Sequence, residues 1–369
     1  MLILKFNDHE RRRIKKAGSS IRSIYASNKG EHSTNIQNGS KRKVIKRITL
    51  HISNDCNLRC KYCFGGGGSY NQERNLMTEQ TAIEFVDFCV EQFERVEKIV
   101  FFGGEPMLNL KGMEIVCNRF KYYKEEGKID ILPNFVIITN GTILTDRMLA
   151  FIKRNISAMT ISIDGPKEIN DIQRIYKNGK GSYDLIVPKF QQFAESRNQD
   201  KYYVRGTFTH YNLDFADDVL HLADLGFKQI SVEPVVAEDS EEYALREEDL
   251  PKLFAEYDKL AAEMVERKKS GKDFNFFHFM IDLEGGPCVA KRLSGCGSGT
   301  EYLAVTPWGD FYPCHQFVGN EEFLMGNVWD GVKRTDIRDE FKCCNVYAKE
   351  KCRNCFARFY CSGGCAANS

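Results

Sequence analysis

Between residues 46 and 268, short apolar runs rich in β-branched residues alternate with longer windows whose apolar residues have helical spacing. The runs predict six strands: RITLHIS (47–53), KIVFFGG (98–104), FVIITNG (135–141), AMTISIDG (158–165), YYVRGTFTH (202–210) and KQISVEPVV (228–236). The windows predict helices over 78–94, 109–126, 145–154, 184–197, 214–225 and 247–269. Such alternation favours parallel strands joined by right-handed crossovers. We therefore expect an α/β fold, a partial (β/α)6 TIM-like barrel.

Short segments with chemical character follow the predicted strands directly. They are CNLRCKYC (56–63), GGEP (103–106), TNG (139–141), SIDG (162–165) and VEP (232–234). Because chemistry in such barrels gathers at the carboxyl ends of the strands, we expect one site there.

After about residue 284 the pattern changes to short runs rich in Gly, Pro and Cys, too loop-rich to be stabilised by apolar burial alone. We predict three parts: a basic arm (1–45), the barrel (46–283) and a cysteine-rich module (284–369). Residues 1–47 hold 13 Lys and Arg against 3 Asp and Glu. A solvated arm is the favoured interpretation, and a docking element for an acidic peptide is the alternative.

Charge and hydropathy exclude several classes of protein. The net charge is +1, so the overall field steers neither nucleic acid nor anions. No apolar run reaches the roughly 20 residues of a membrane span, and the start, MLILKFNDHERRR, lacks the apolar core of a signal peptide. We expect a cytoplasmic protein with no nucleic-acid or membrane partner.

The sequence has 14 cysteines, a high count for a chain without a secretion signal. Disulfide frameworks of this density belong to small secreted domains, so metal or cluster ligation is the better interpretation. Three cysteines lie at 56–63 and nine at 288–365. Cys89 and Cys117 fall in helical patterns and are expected to be buried apolar residues.

The first group, Cys56, Cys60 and Cys63, has the spacing C-x3-C-x2-C and precedes a GGGG run (65–68). Zinc ribbons and fully thiolate-bound iron–sulfur cubanes both need four ligands. Three cysteines fit a cubane with one iron left free to chelate a substrate or cofactor. The glycine run lacks the Lys-Ser/Thr of a phosphate loop, and we expect it to let the cysteine loop fold tightly.

This triplet after the first strand of a partial barrel resembles the radical S-adenosylmethionine (SAM) enzymes. The resemblance implies that Cys56, Cys60 and Cys63 are catalytic ligands of a [4Fe–4S] cluster whose free iron binds SAM. An electron, delivered by a donor such as flavodoxin or ferredoxin, would cleave SAM to a 5′-deoxyadenosyl radical that abstracts a substrate hydrogen.

The same resemblance implies contacts to SAM at the strand ends. The expected cofactor-binding residues are Tyr62, Gly103, Gly104, Glu105, Pro106, Asn140, Ser162, Asp164 and Arg205. Tyr62 would lie against the adenine, and Glu105 would accept a hydrogen bond from the ammonium group of SAM. For the last four residues a structural role, in a turn or in an inward-facing ion pair, explains the sequence as well as contact with SAM does. Arg174 is a further candidate for the cleft, with the same two explanations.

The later cysteines read C-x7-C-x12-G-x4-C and then C-x2-C-x5-C-x3-C. This resembles the SPASM extension of radical SAM enzymes, which holds two auxiliary [4Fe–4S] clusters. The implied ligands are Cys296, Cys314 and Cys365 for the first cluster and Cys352, Cys355 and Cys361 for the second. A zinc ribbon built on the last four cysteines is a minority interpretation.

Two ligand positions stay open. Cys288 either closes the first auxiliary cluster or is free, which leaves an iron for a substrate thiolate. In the SPASM pattern, the fourth ligand of the second cluster lies downstream of the C-x3-C pair, but the chain stops at Ser369. We expect a C-terminally incomplete module, with Cys343 or Cys344 as the alternative ligand.

Two stretches, GGPCVAKRLSGCGSGTEYLAVTPWGDFYPCHQFVG and CRNCFARFYCSGGCAANS, resemble the maturases of the six-cysteines-in-forty-five-residues (SCIFF) peptides and their ranthipeptide relatives. Those enzymes bond a Cys sulfur to a carbon of another residue, so the implied partner is a ribosomally made precursor peptide. Two alternatives remain: a radical SAM maturase of a protein (sulfatase formylglycine formation or amine dehydrogenase crosslinking), and a non-catalytic zinc-ribbon binding module.

Overall fold

The computed structural model describes residues 42–281, 293 and 295–367. Its strands are β1 (Arg42–Ile45), β2 (Arg47–Ser53), β3 (Phe93–Val96), β4 (Lys98–Gly103), β5 (Asn134–Thr139), β6 (Ala158–Ser162), β7 (Tyr202–Phe208), β8 (Gln229–Pro234), β9 (Asn275–Phe276), β10 (Tyr302–Val305), β11 (Asp310–Tyr312), β12 (Gly326–Asn327) and β13 (Gly331–Val332).

Among the described residues, seven α-helices lie in the connections between these strands and three follow β13. They are α1 (Glu79–Gln92), α2 (Leu110–Glu125), α3 (Asp146–Asn155), α4 (Lys167–Gln173), α5 (Tyr183–Ser196), α6 (Phe215–Asp224), α7 (Leu250–Lys269), α8 (Thr335–Cys343), α9 (Glu350–Arg353) and α10 (Arg358–Cys361). No helix in this part of the chain is long and apolar enough to cross a membrane.

Within the described residues, eleven strands form one sheet in the order β13-β12-β11-β10-β2-β4-β5-β6-β7-β8-β9. Every neighbouring pair from β10 and β2 through to β8 and β9 is parallel. The pairs β10 with β11, β11 with β12 and β12 with β13 are antiparallel. The six predicted strands are β2, β4, β5, β6, β7 and β8, each within a few residues of its expected bounds. The partial (β/α)6 barrel is confirmed.

β2 shows why the strands pack as they do. Ile48, Leu50 and Ile52 alternate with Thr49, His51 and Ser53, and all six are at most 1% exposed. Alternate side chains point to opposite faces of a strand, so β2 has one apolar face and one polar face, both buried. A buried polar face predicts hydrogen-bonded groups on that side of the sheet.

Local capping fixes where the helices begin after the strands. The side chains of Thr78, Asn109 and Thr145 accept hydrogen bonds from backbone N–H groups in the first turns of α1, α2 and α3. Asn109 also donates through Nδ2 to the carbonyl oxygens of Ile52 and Met77, each at 2.9 Å. One side chain therefore ties the end of β2 to the starts of two helices.

Part of the cysteine-rich module belongs to the barrel sheet. β10 pairs in parallel with β2, in the register Tyr302 with Arg47 through Val305 with Leu50. We did not predict β10 to β13, because runs of two to four residues carry too little periodicity. The short helix α4 and the two-stranded parallel sheet of β1 with β3 were missed for the same reason. Residues 1–41 of the arm and residue 284 lie outside the described residues, and the last four residues of the arm form β1. The predicted boundaries stay predictions.

The interpretation of Cys89 and Cys117 as core residues is confirmed, since both are fully buried in the apolar core under α1 and α2.

Replacing Cys89 with Ser puts a hydroxyl into this core. We expect the free energy of unfolding to fall by about 1–3 kcal/mol, because a buried polar group without a partner costs that much. Iron content per chain should not change. Urea denaturation and iron analysis check both points, with Cys89→Ala as the matched control. Loss of iron in either variant would contradict a purely structural role.

Candidate functional site

A cavity of about 300 Å³ lies at the carboxyl ends of the parallel strands. The predicted site residues that line it are Cys56, Cys60, Tyr62, Cys63, Gly103, Gly104, Asn140, Ser162, Arg174 and Arg205. The structure thus brings the triplet and the ends of β4, β5, β6 and β7 into one wall. Glu105, Pro106 and Asp164 lie behind this wall and do not line the cavity.

Tight turns hold the cysteine loop after β2. The Cys56 N–H donates to the Asp55 carboxylate at 2.8 Å, and the Leu58 N–H points at Cys56 Sγ at 3.4 Å. The Cys63 N–H donates to the carbonyl oxygen of Cys60 at 3.1 Å. Arg59 donates to the carbonyl oxygen of Cys56 and closes the turn from the other side. These contacts orient the three thiols toward the same cavity.

The glycine run lets this loop fold back on itself. Gly66, Gly67 and Gly68 have φ values of +56°, +69° and +94°, which L-residues with side chains rarely adopt. A Cβ on Gly68 would lie 2.9 Å from the Cβ of Cys56 and 2.7 Å from the Cα of Gly104. The expected tight loop is what the structure shows.

The GGEP segment packs backbone to backbone against the cysteine loop. The Gly104 N–H donates to the carbonyl oxygen of Ser53, and the Glu105 N–H donates to that of Asp55, both at 2.8 Å. A Cβ on Gly104 would come within 2.1 Å of the Asp55 oxygen. Only a residue without a side chain fits between the end of β4 and the cysteine loop.

Glu105 is 1% exposed and is fully engaged by the protein. One carboxylate oxygen accepts from Thr139 Oγ1 at 2.7 Å and from the Met107 N–H at 3.0 Å, and the other accepts from the Asn140 N–H at 2.8 Å. Its observed role is to hold the end of β5, and with it Asn140, against β4. A contact between Glu105 and the ammonium group of SAM stays a prediction.

Tyr62 is anchored by a carboxylate and a guanidinium from distant parts of the chain. Its hydroxyl donates to the Asp164 carboxylate at 2.6 Å and accepts from Arg174 Nη1 at 2.9 Å. Asp164, fully buried, also accepts from the Thr207 N–H at 3.1 Å. Arg174 Nη1 also lies 3.9 Å from an Asp164 oxygen. The inward-facing ion pair of Asp164 is therefore formed with Arg174 and not with Arg205, and the two residues together fix the Tyr62 ring in the cavity wall.

The donor set fits an iron–sulfur cluster better than a single metal ion. Burial raises the pKa of the Cys56 thiol to about 12 and of the Cys60 thiol to about 11. Thiolates in such a site need bound cations, because metal coordination deprotonates the thiol. Three thiols that line one cavity match a cubane, in which each thiolate binds a different iron, whereas a structural zinc site places four ligands on one ion.

The expected ligands of the first auxiliary cluster lie near one another. Burial raises the pKa of the Cys314 thiol to about 12, and the thiols of Cys296 and Cys365 add to this effect. Cys288 lies outside the described residues. Cys352 and Cys355 occupy one turn, joined by a backbone hydrogen bond at 3.2 Å, and Cys361 ends α10. Joint ligation by these last three stays a prediction.

Residues 50–232 match the family model of the radical SAM superfamily. The chain belongs to this superfamily. It is therefore an enzyme, and SAM and [4Fe–4S] clusters are its cofactors.

Relatives and a solved structure agree with this placement. The chain is 24% identical over 352 residues to the radical SAM cyclopropyl synthase TigE of Paramaledivibacter caminithermalis, covering 87% of this chain and 68% of TigE. It is 25% identical over 348 residues to the cysteine-type anaerobic sulfatase-maturating enzyme of Clostridium novyi, covering 88% and 89%. Streptococcus suis SuiB, solved with SAM and with its precursor peptide SuiA, matches with a TM-score of 0.62 and 15% identity over 96% of this chain and 84% of SuiB. At that identity the structural match shows the fold alone.

Sequence reasoning missed two polar groups of the cavity. Arg47 and His315 line it near the cysteines, and Tyr302 joins them: Thr49 Oγ1 donates to the Tyr302 hydroxyl at 3.0 Å, and that hydroxyl contacts His315 Nδ1. Only the position of His315, directly after the expected ligand Cys314, could have pointed to it.

The second group surrounds Glu233, whose VEP segment was noted only as a strand end. His278 Nε2 lies 2.8 Å from one carboxylate oxygen, and Ser231 donates to the other. Burial opposes the charge of Glu233, but these hydrogen bonds outweigh it and lower the pKa of the carboxyl to about 2. The cavity therefore carries a fixed anion on the wall formed by β8.

Replacing Gly104 with Ala should displace the cysteine loop, because the new Cβ collides with the Asp55 oxygen. We expect the reconstituted protein to lose about four irons per chain, one cubane. Iron and sulfide analysis after anaerobic reconstitution measures this loss. Gly127→Ala is the control for adding a methyl group to a loop glycine, since Gly127 sits at φ +69° with no heavy atom within 4 Å of its Cβ. Equal iron in the two variants would contradict the proposed packing constraint.

Replacing Tyr62 with Phe removes the hydroxyl that bridges Asp164 and Arg174 but leaves the three cysteines intact. We expect unchanged iron content and SAM binding weakened by about tenfold, or 1.4 kcal/mol, because the ring loses its anchors. Equilibrium dialysis with SAM under anaerobic conditions measures the affinity. Unchanged affinity would show that the ring position does not matter for the cofactor.

Proposed function

We propose that this enzyme is a maturase that forms thioether crosslinks between Cys sulfurs and carbon atoms of a ribosomally made, cysteine-rich precursor peptide. The observation that supports it most directly is the composition of one cavity wall. His315 and Gln316, which follow Cys314, line the same cavity as Cys56, Cys60 and Cys63. A peptide in this cavity lies between the triplet and the first auxiliary group of cysteines.

In this proposal the cysteines form three cluster sites. The SAM cluster is held by Cys56, Cys60 and Cys63, the first auxiliary cluster by Cys296, Cys314 and Cys365, and the second by Cys352, Cys355 and Cys361. When bound, SAM and its cluster supply the one-electron chemistry that removes a hydrogen atom from an unactivated carbon. An electron donor of the flavodoxin or ferredoxin kind completes the set of partners.

The protein's own side chains bind and shield the substrate. The cavity has an apolar part, lined by Leu58, Phe64, Phe102, Ile138, Val235 and Val236. Arg47, Arg205 and Glu233 line it as well, so a peptide backbone meets both hydrogen-bond donors and an acceptor. His278 and Ser231 fix the Glu233 carboxylate, so the acceptor stays in place and ionised at neutral pH.

The relatives support a maturase and leave the chemistry of its product open. SuiB was solved with a precursor peptide, and a sulfatase-maturating enzyme is 25% identical over nearly the whole chain. The second candidate is therefore formylglycine formation in a sulfatase. Both reactions begin by removing two hydrogens, but the conversion of a Cys to formylglycine also exchanges sulfur for oxygen by hydrolysis and releases sulfide, so the mass and the fragmentation of the product separate them.

We expect each thioether link to make a cysteine-rich precursor peptide lighter by two hydrogens when it is incubated with the enzyme, SAM and a reductant. Tandem mass spectrometry locates the sulfur-to-carbon bond. The Cys56/Cys60/Cys63→Ala variant should form no product, whereas Cys89→Ala should retain activity. Formylglycine in a sulfatase peptide, with no thioether in the precursor peptide, would replace this proposal with the second candidate.

A further inference from the structure

A second, smaller cavity lies inside the cysteine-rich module, away from the barrel mouth. Cys296 and Cys344 line it together with Ser298, Ser362 and Gly364. Cys296 is an expected ligand of the first auxiliary cluster. The sequence suggested Cys344 only as a replacement ligand for the second cluster, so its position beside Cys296 is new.

Two buried hydroxyls lie at this cavity. Ser298 and Ser362 are 7% and 9% exposed, and the Ser362 Oγ makes no hydrogen bond within the described residues, whereas the Ser298 hydroxyl faces Cys314. An unsatisfied buried hydroxyl is costly, so the Ser362 hydroxyl indicates a missing ligand with acceptor atoms. The sulfurs of an iron–sulfur cluster are such acceptors, and hydrogen bonds to them tune its potential. Ser298 also lowers the pKa of the Cys314 thiol against the effect of burial, so it lies beside that sulfur as well.

Backbone contacts fix Cys344 in this position. Its N–H donates to the carbonyl oxygen of Phe341 at 3.1 Å at the end of α8. Two residues later, the Val346 N–H donates to the carbonyl oxygen of Leu293 at 3.0 Å, which joins this turn to the segment before Cys296. Lys349 Nζ donates to the carbonyl oxygen of Gly363 at 2.6 Å, which joins it to the segment before Cys365.

The electrostatic neighbours of Cys344 include one expected ligand of the first auxiliary cluster. Burial raises the pKa of the Cys344 thiol, the Lys349 ammonium opposes this rise, and the thiols of Cys296 and Cys343 add to it. Cys296 also acts on Cys314, together with Cys365. Cys296 is therefore a shared neighbour of Cys344 and Cys314.

We propose that Cys344 is a ligand of the first auxiliary cluster, together with Cys296, Cys314 and Cys365, and that Ser298 and Ser362 donate hydrogen bonds to the sulfurs of that cluster. This rests on the proposed function only in taking the auxiliary cluster as present. The four cysteines complete a cubane without Cys288 and without a substrate thiolate.

Thiol labelling of the wild-type enzyme tests the assignment. Iodoacetamide is applied anaerobically to the iron-loaded protein and to the protein after iron chelation, and each cysteine is located by peptide mass mapping. We expect Cys344 to be protected with iron and labelled without it. Cys343, its neighbour outside the cavity, should be labelled in both states, and the core residues Cys89 and Cys117 in neither. Labelling of Cys344 in the iron-loaded protein as fast as Cys343 would overturn the proposal.

A pair of variants provides the second test, in the Cys56/Cys60/Cys63→Ala background, which should retain about eight irons in two cubanes. We expect Cys344→Ser to lose one iron on mild oxidation and to show the electron paramagnetic resonance signal of a three-iron cluster. Cys343→Ser should resemble its parent. Identical spectra for the two variants would refute ligation by Cys344. Absence of all iron in the parent would refute it too, and would remove the auxiliary clusters from the proposed function. Failure to form thioether by a protein with the expected labelling would reject only the function.

Discussion

The site depends on the close approach of two backbone segments where β2 and β4 end. The carbonyl oxygens of Ser53 and Asp55 accept hydrogen bonds from Gly104 and Glu105, and a Cβ on Gly103 would lie 2.0 Å from the Ser53 oxygen. This spacing fixes the cysteine loop relative to the barrel before any side chain takes part. It also places Glu105 where its carboxylate can reach Thr139 and Asn140, so that the end of β5 follows the same geometry.

A second dependence runs through the partner of β2 on its other side. β10 extends the barrel sheet into the cysteine-rich module, and the side chain of Thr49 on β2 contacts Tyr302 on β10. Tyr302 in turn contacts His315, next to Cys314. The triplet and the first auxiliary group are therefore attached to the same strand, one through its carboxyl end and the other through its edge.

The sequence predicted the barrel well because its strands and helices are long enough to show their periodicity. It predicted the triplet because cysteine spacing is a local property. Roles that depend on distant partners could not be predicted: Asp164 and Tyr62 are 102 residues apart, and their hydrogen bond follows only from the fold. Likewise, the sequence offered no reason to place Cys344 beside Cys296. Their segments are brought together by a hydrogen bond from the Val346 N–H to the Leu293 carbonyl oxygen, which follows only from the fold.

The pairing of β10 with β2 has a consequence for how the two halves of such enzymes can be recombined. Side chains alternate between faces along a strand, so a shift of one residue in this pairing would turn Tyr302 away from Thr49. A cysteine-rich module taken from a relative would bind its own clusters and still fail to meet the barrel cavity unless it kept this register. The barrel and the cysteine-rich module are thus connected by the register of β10 on β2, and a flexible linker would not replace that pairing.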